Sequence, residues 1–285
     1  MSTQQTAKTQ YADVNGIKMA YRRFGNPAKV PLVFLMHFRG TMDHWDPALI
    51  NPVAESREVI LIDNTGIGKS SGEIPDHYSG WAQNVIDLLS TIGVKKIDLL
   101  GFSMGGFVAQ MVTLKAPGLV RRLILSGTGP SAGEGVQQGP AEAYTLVASA
   151  STPEEAENSY LKTFYSLSDE KQALGKTWWK RVHERNEFEK MSDYVGPEGV
   201  EQQTKAVINW MTHDGETSYE RLGEIKIPVL VANGDNDILI PTANSFILKN
   251  RLPNAQLHIY PDTGHGFLFE YAAVFSQQIK IFLDN

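Results

Sequence analysis

The chain has 285 residues, of which 42% are hydrophobic and 20% charged, with a formal net charge of −6 and no cysteine. This length and composition fit one large globular domain with its own core, and they exclude a disordered chain or a coiled coil. The negative charge argues against nucleic acid or an anionic membrane as the main partner, and the lack of cysteine excludes thiol nucleophiles, disulfides and thiolate metal sites.

The N-terminal residues 1–10 are polar and carry no apolar segment of the kind found in a secretory signal. They are therefore predicted to form a frayed tail. No apolar run approaches the roughly 20 residues that a membrane-spanning helix needs. From these two features we expect a cytoplasmic protein with no membrane partner.

Eight stretches of the chain are predicted to be β-strands. Two of them, at about 12–14 and 17–24, flank Asn15-Gly16, which is the strongest short signal for a β-hairpin. Five continuous apolar runs and a weaker sixth follow, at 31–36, 59–62, 97–100, 123–125, 228–232 and 257–260. Continuous apolar runs are typical of strands buried on both faces, as in a parallel sheet covered by helices.

Helical patterns lie between these runs. The segment 78–92 places its apolar residues on one helix face and ends before Gly93, a residue suited to a C-cap. Three further helices are predicted at 104–114, 243–252 and 272–282. The alternation of strands and helices indicates an α/β fold with a mainly parallel sheet.

One long stretch, 129–223, interrupts this alternation because it has no buried-strand pattern and many aromatic residues. It is predicted to be an inserted helical lid, and the core is then formed by 11–128 and 224–285. A lid needs an apolar underside to close over a substrate. Its candidate substrate-binding residues are Trp178, Trp179 and His183.

The strongest chemical signal is Gly101-Phe-Ser-Met-Gly105, which follows a predicted strand and precedes a predicted helix. Gly-x-Ser-x-Gly in this context is a nucleophile elbow, a tight turn that holds the serine hydroxyl above the sheet. Ser103 is therefore the candidate nucleophile. The N–H groups at the start of the following helix point toward the negative charge that develops in the reaction.

A serine hydroxyl is a weak nucleophile, so it needs a general base and an acid that orients that base. His265 lies after the last predicted strand and is the candidate base. The acid is expected just after the strand 228–232, where Asp235 and Asp237 are both candidates. Serine, acid and histidine then follow the chain order that accompanies a nucleophile elbow.

With these motifs, residues 11–283 outside the lid resemble the α/β-hydrolase superfamily, in particular its serine esterases, cofactor-free haloperoxidase-like perhydrolases and lactonases. The resemblance implies an α/β-hydrolase fold, with a mostly parallel eight-stranded sheet flanked by helices and an inserted helical lid. Family members with a Gly-x-x-Asp-x-x-x-Pro pattern use the aspartate four residues before the proline, which here is Asp237, before Pro241. Asp235 is then a turn-forming residue.

The resemblance also implies an oxyanion hole made of two backbone amides. One donor is the N–H of Met104, the residue after the nucleophile. The other lies in the loop after the first buried strand, where the family usually has His-Gly and this chain has His37-Phe-Arg-Gly. Counting along the family pattern places this donor at Arg39, with Phe38 as the alternative.

The side chain of Arg39 brings a guanidinium near the mouth of the expected site. We expect it to pair with a nearby acid, Asp43 or Asp46, or to be solvated. The alternative is that it binds a substrate carboxylate through two parallel hydrogen bonds.

Together these features predict a serine hydrolase that cleaves a carboxylic ester or lactone through an acyl-enzyme. The expected substrate is a largely apolar small molecule, and no metal or organic cofactor is required. The alternatives are a perhydrolase or haloperoxidase-like enzyme, a carbon–carbon bond hydrolase on the same fold, and a ligand-binding receptor without turnover. The sequence leaves the oligomeric state open, and a homodimer is compatible with it.

Overall fold

The computed structural model describes residues 2–27 and 29–285 and is built around one eight-stranded sheet. The strands are β1 Gln10–Val14, β2 Ile17–Gly25, β3 Leu32–Leu35, β4 Glu58–Ile62, β5 Ile97–Phe102, β6 Val120–Ser126, β7 Val229–Gly234 and β8 Ala255–Tyr260. Their spatial order is β1-β2-β4-β3-β5-β6-β7-β8. Strand β2 is antiparallel to both β1 and β4, and the other pairings between described strands are parallel. The predicted mostly parallel, eight-stranded sheet is therefore confirmed.

Ten α-helices lie in the described part of the chain. They are α1 Pro47–Ser56, α2 Tyr78–Thr91, α3 Met104–Lys115, α4 Ala141–Ser149, α5 Pro153–Phe164, α6 Asp169–Val182, α7 Pro197–Met211, α8 Ala243–Arg251, α9 Phe267–Glu270 and α10 Ala272–Asp284. Short 3-10 helices span Met42–His44, His183–Glu187 and Tyr219–Glu224. Helix α1 packs against α10 and α2 packs against α3. None of the described helices is long and apolar enough to cross a membrane.

The hairpin expected at Asn15-Gly16 joins β1 to β2. Both residues have positive φ, 54° for Asn15 and 82° for Gly16, as a two-residue hairpin turn of this kind requires. Val14 pairs with Ile17 across the turn, and the carboxylate of Asp13 accepts the N–H of Gly16 at 2.8 Å. The local sequence therefore fixes the register of the antiparallel edge.

The core lies along the central strands, whose side chains are buried on both faces of the sheet. Every residue of β3, β5 and β7 is buried, whereas the edge strand β8 is mostly half-buried. Parallel strands present their carboxyl ends at one edge of the sheet, where open α/β sheets place their binding sites. The loops that follow β3, β5, β7 and β8 carry His37, Ser103, Asp237 and His265 respectively.

Helices α4 to α7 follow one another between β6 and β7, within the segment 129–223, which we call the insert. Helix α5 begins with a reciprocal capping box between Thr152 and Glu155, the arrangement that best satisfies the free amides of a helix start. Its buried face carries Tyr160 and Phe164. Because these two rings point inward, the insert contributes an apolar face to the carboxyl edge of the sheet.

The prediction of a frayed N-terminal tail was wrong for the described residues of that segment. Gln4 is fully buried, and its side chain donates to the carbonyl of Asp43 at 3.1 Å. The guanidinium of Arg185, in the insert, donates to the carbonyls of Gln4, Gln5 and Ala7 at 2.7–2.8 Å. A polar segment is ordered here because a distant arginine satisfies its backbone, which local composition does not reveal. Met1 lies outside the described residues.

Candidate active site

Ser103 occupies a strained turn between β5 and α3. Its φ and ψ are 57° and −123°, a conformation that non-glycine residues rarely adopt and that is typical of a nucleophile elbow. Two hydrogen bonds hold it: its N–H donates to the carbonyl of Ser126 at 2.9 Å, and its own carbonyl accepts the hydroxyl of Thr128 at 2.8 Å. The neighbouring strand and its following loop therefore impose the strain.

The elbow has no room for a side chain at either of its two glycines. A Cβ on Gly101 would clash with the carbonyl of Gly105, and a Cβ on Gly105 would clash with the carbonyl of Leu35 at the end of β3. These obstacles are backbone atoms, which no change of rotamer can move. The Gly-x-Ser-x-Gly spacing thus lets α3 begin directly against the end of β3, with Ser103 at its N-terminus.

His265 and Asp237 form a buried hydrogen-bonded pair. Nδ1 of His265 lies 2.7 Å from Oδ2 of Asp237, and both side chains are almost fully buried. The other carboxylate oxygen of Asp237 accepts the backbone N–H groups of Leu239 and Ile240, each at 2.9 Å. Because a carboxylate only accepts, the proton of a neutral His265 resides on Nδ1, which leaves Nε2 with a free lone pair.

Asp235, the other candidate acid, does not contact His265. Its carboxylate accepts the N–H groups of Asp262 and Thr263 at 3.0 and 3.2 Å. It therefore ties the loop after β7 to the loop after β8, which carries His265. The sequence predicted a turn-forming residue, whereas the carboxylate bridges two loops that are 27 and 28 positions apart in the chain.

Ser103 and His265 line the same cavity, which has a volume of about 390 Å³. Met104, Phe38 and residues of the insert complete its wall, including Tyr144, Tyr160 and Phe164 from helices α4 and α5. Among the described residues, no aspartate, glutamate, lysine or arginine lines this cavity. The site is therefore a largely apolar chamber closed on one side by the insert.

Several polar side chains in the cavity wall are held by hydrogen bonds within the protein. Asn244 exchanges two hydrogen bonds with the backbone of Gln137, at 2.8 and 2.9 Å. The hydroxyls of Tyr144 and Thr204 lie 2.9 Å apart. These internal bonds occupy the polar groups of Asn244, Tyr144 and Thr204, whereas the side-chain amides of Gln137 and Gln138 also line the cavity and are exposed.

The loop after β3 is a turn in which the N–H of Gly40 donates to the carbonyl of His37 at 3.0 Å. Arg39 sits at its third position with φ of 65°, the pattern of a type II turn. Its N–H donates to Oε1 of Gln203 at 2.9 Å, so the amide named first as an oxyanion donor already has an acceptor. In the described part of the chain, no acceptor binds the N–H of Phe38, which does line the cavity.

The prediction that the side chain of Arg39 pairs with Asp43 or Asp46, or is solvated, was wrong. It is buried, and it binds neither Asp43 nor Asp46. Instead, its Nε donates to the carbonyl of Val195 at 3.0 Å and its Nη1 to the carbonyl of Val147 at 2.6 Å. The two aspartates are occupied by other arginines: Asp43 pairs with Arg22 and Arg185, and Asp46 pairs with Arg181.

The sequence predicted three substrate-binding residues, Trp178, Trp179 and His183. In the described chain, none of them lines the cavity. Trp178 is fully buried and stacks on Phe269 of α9, with ring centroids 5.2 Å apart. Nδ1 of His183 lies 2.7 Å from the carbonyl of Trp179, which ties it to its own helix. Trp178 thus packs between the insert and α9, whereas Trp179 is half-buried and packs against His183 and Tyr194. The sequence identified an aromatic insert but not which rings face the cavity.

His37 is a further cavity residue that the sequence analysis did not single out for a role. It is almost fully buried, and burial lowers its pKa to about 3, with the nearby His265 adding to the effect. Its Nδ1 lies 2.8 Å from the carbonyl of Phe38, so Nδ1 carries the proton and donates. The ring therefore stays neutral and fixes one peptide of the turn that holds Phe38.

Comparison with known proteins places these features in a wider group. Residues 30–272 match the sequence profile of a family described as alpha/beta hydrolase fold. A hydrolase of Comamonas testosteroni, named for 2-hydroxy-6-oxononadienedioate and 2-hydroxy-6-oxononatrienedioate, is 29% identical over 80% of this chain and 77% of its own. A poly(3-hydroxyalkanoate) depolymerase of Ectopseudomonas oleovorans is 28% identical over 98% and 92%. The solved structure of an alpha/beta hydrolase fold protein from Chitinophaga pinensis superposes with a TM-score of 0.87, at 33% identity over the whole of both chains.

Proposed function

The chain belongs to the α/β-hydrolase fold family, and from that premise we propose that it is a serine hydrolase that cleaves a neutral, largely apolar carboxylic ester or lactone. One observation carries the proposal: Ser103 on its elbow lines the same cavity as His265, which is paired with Asp237. A nucleophile, a base and an acid that orients the base are the minimum set for acyl transfer by serine.

In the proposed reaction, the hydroxyl of Ser103 attacks the acyl carbon while Nε2 of His265 accepts its proton. Asp237 holds the imidazole by Nδ1 and stabilises the imidazolium that forms. His265 then returns the proton to the leaving alkoxide, which departs and leaves an acyl-enzyme. Water, deprotonated by His265, attacks the ester to Ser103 and releases the acid.

The oxyanion of each tetrahedral intermediate would be stabilised by two backbone amides. Met104 is the first residue of α3, so its N–H has no acceptor within the helix and lies at the positive end of the helix dipole. For the second donor we propose Phe38 in place of Arg39, because the Arg39 N–H is already bound by Gln203.

The charge of the cavity supports a neutral substrate. Burying a carboxylate among apolar groups is unfavourable unless a cation or several hydrogen-bond donors compensate it. Arg39, the cation that the sequence offered for this purpose, binds backbone carbonyls of the insert and does not line the cavity. The acyl chain would instead pack against Tyr144, Phe164 and the aliphatic residues of α7.

Hydrolysis of a carbon–carbon bond is the second candidate, because the relative from Comamonas testosteroni carries that kind of substrate in its name. A dioate carries two carboxylates, and the described cavity wall has no lysine or arginine to receive them. The uncharged wall therefore favours the ester or lactone.

The proposal is tested by labelling and by a substrate panel. A fluorophosphonate should modify the wild-type chain at Ser103, and Ser103→Ala should abolish both labelling and turnover while the protein stays folded. Within the panel, p-nitrophenyl esters with neutral acyl chains should be preferred by about a hundredfold over matched esters whose acyl chain ends in a carboxylate. Labelling elsewhere, or turnover by Ser103→Ala within a few fold of wild type, would contradict the mechanism. A preference for the acidic esters would favour the second candidate.

A further inference from the structure

Arg39 occupies an unusual place for its residue type. It is the third residue of the turn after β3 and has φ of 65°, the left-handed region that turns of this type normally give to glycine. A long side chain in that conformation is disfavoured unless its surroundings hold it there. The contacts of Arg39 must therefore compensate for this conformation.

Four hydrogen bonds join Arg39 to the insert. Its N–H donates to Oε1 of Gln203 at 2.9 Å, and its carbonyl accepts the N–H of Val195 at 2.9 Å. Its Nε donates to the carbonyl of Val195 at 3.0 Å, and its Nη1 donates to the carbonyl of Val147 at 2.6 Å. Backbone and side chain thus reach three separate points of the insert.

The guanidinium has no acidic partner within ion-pair distance among the described residues, although it is buried. Most other arginines of this protein do have such a partner, as Arg181 does in Asp46. The arginine at position 39 therefore does not serve as half of a salt bridge. Its charge is directed instead at carbonyl oxygens of the insert, which accept charge-assisted hydrogen bonds.

The other side of the same turn faces the cavity. The carbonyl of His37 accepts the N–H of Gly40, and the ring of His37 donates to the carbonyl of Phe38. These two bonds fix the peptides on either side of Phe38, whose N–H is the second oxyanion donor of the proposed function. Arg39 lies between Phe38 and Gly40, so a shift of Arg39 displaces Gly40 and loosens the hydrogen bond that fixes the His37–Phe38 peptide, which carries the donor N–H.

We propose that Arg39 is a positioning residue through which the insert sets the oxyanion turn, so that the Phe38 N–H is correctly aimed only when the insert is docked. The proposal rests on the proposed function for the role of Phe38. It also links binding to catalysis, because Val147, whose carbonyl Arg39 holds, lines the cavity that receives the acyl chain. An occupant that packs against Val147 thereby stabilises the contact that positions the turn.

The informative substitution is Arg39→Gly. Glycine adopts positive φ without strain and keeps both backbone bonds to the insert, so this variant removes only the two side-chain bonds. The matched control is Arg181→Gln, which removes a two-bond link between the insert and Asp46 that does not touch the turn. We expect kcat of Arg39→Gly on a neutral ester to fall roughly tenfold to a hundredfold, with KM within about threefold of wild type. Arg181→Gln should retain kcat, and Arg39→Lys should recover part of it because an ammonium can still reach one carbonyl.

Hydrogen exchange tests the coupling without relying on turnover. Amides of residues 38–41 should exchange about tenfold faster in Arg39→Gly than in wild type, and at the wild-type rate in Arg181→Gln. Unchanged exchange in Arg39→Gly would overturn the proposal, as would an equal loss of kcat in both variants, which would mean general loosening of the insert. A rise in KM confined to acidic esters would also overturn it, because Arg39 would then bind a substrate carboxylate. If the wild-type chain hydrolyses no ester, the proposed function fails, and the exchange result still decides the coupling.

Discussion

Asp237 holds His265 with one oxygen and its own loop with the other. Oδ2 lies 2.7 Å from Nδ1 of His265, while Oδ1 accepts two backbone N–H groups of the residues that follow it. The orientation of the imidazole is therefore tied to the backbone after β7. The two oxygens of Asp237 therefore have different roles, one toward His265 and one toward the loop. A substitution that changes only one of the two groups can distinguish these roles.

Replacing Asp237 with asparagine should nearly abolish turnover. The amide oxygen can still accept the loop amides, but the NH₂ group then faces His265 and forces its proton onto Nε2, the atom that must act as base. We expect kcat to fall by about 10⁴-fold, the loss known for the wrong tautomer in such triads. Steady-state kinetics on a neutral p-nitrophenyl ester gives the value.

The matched control for that change is Asp235→Asn. Asp235 binds only backbone N–H groups of the loop that carries His265, so we expect its replacement to cost less than about tenfold in kcat. If Asp235→Asn proved the more damaging of the two, the assignment of Asp237 as the orienting acid would be wrong.

The elbow glycine Gly105 should not tolerate alanine. Its added Cβ would press on the carbonyl of Leu35, and relief requires moving α3 away from β3. We expect Gly105→Ala to lower the free energy of unfolding by about 3 kcal/mol or more, as for severe overpacking. Gly118→Ala is the control, because a Cβ there meets nothing within 4 Å. Urea unfolding gives the free energy of unfolding of both variants. Equal values for Gly105→Ala and Gly118→Ala would show that the elbow is not closely packed.

Burial of His37 should make stability depend on pH. Its pKa is lowered to about 3 in the folded protein, whereas an unfolded chain has the ordinary value near 6.5. Between these values the unfolded state binds the extra proton, so the contribution of His37 is complete above about pH 6.5 and is lost as pH falls toward 3. The slope has an upper limit of about 1.4 kcal/mol per pH unit.

Other groups titrate in the same range, so the comparison is with His37→Asn, whose amide can still donate to the carbonyl of Phe38. We expect the free energy of unfolding of this variant to fall less steeply than that of wild type between about pH 6.5 and 4.5. Parallel curves from urea unfolding would show that His37 accepts a proton in the folded state.

Narrowing the cavity should change the preferred acyl length. Val207 lies on α7 and lines the cavity, so Val207→Phe should lower kcat/KM for long acyl esters by about tenfold or more relative to short ones. Val274→Phe makes the same change at an exposed position of α10 and should leave the ratio unaltered. A constant ratio in Val207→Phe would mean that the acyl chain occupies another part of the site.

The features that were predicted from the sequence are those that local chemistry determines. The apolar runs identify the central strands because a strand buried on both faces needs no alternation, and Gly101 and Gly105 reveal the elbow because their neighbours are backbone. The sequence left open the roles of residues whose hydrogen-bond partners lie far away along the chain. Gln203 decides which amide of the turn is occupied, and it lies 164 positions from Arg39.

The aromatic residues of the insert illustrate the same limit. Tryptophan pairs and cavity-lining rings are equally apolar, so composition does not separate Trp178, which is interior, from Tyr160, which lines the cavity. Only the packing of α5 against α6 determines which aromatic side chains are interior and which line the cavity. The N-terminal segment was missed for a related reason, since its order comes from Arg185.

The contact between Gln4 and Arg185 has a consequence for the order in which the protein is assembled. The two residues are separated by 181 positions, so the segment around Gln4 is synthesised long before its partner exists. During that interval its carbonyls are hydrated, and closing so large a loop carries an entropic cost that later contacts must offset. The segment around Gln4 therefore cannot complete its native hydrogen bonds until the insert has been made and Arg185 has reached it.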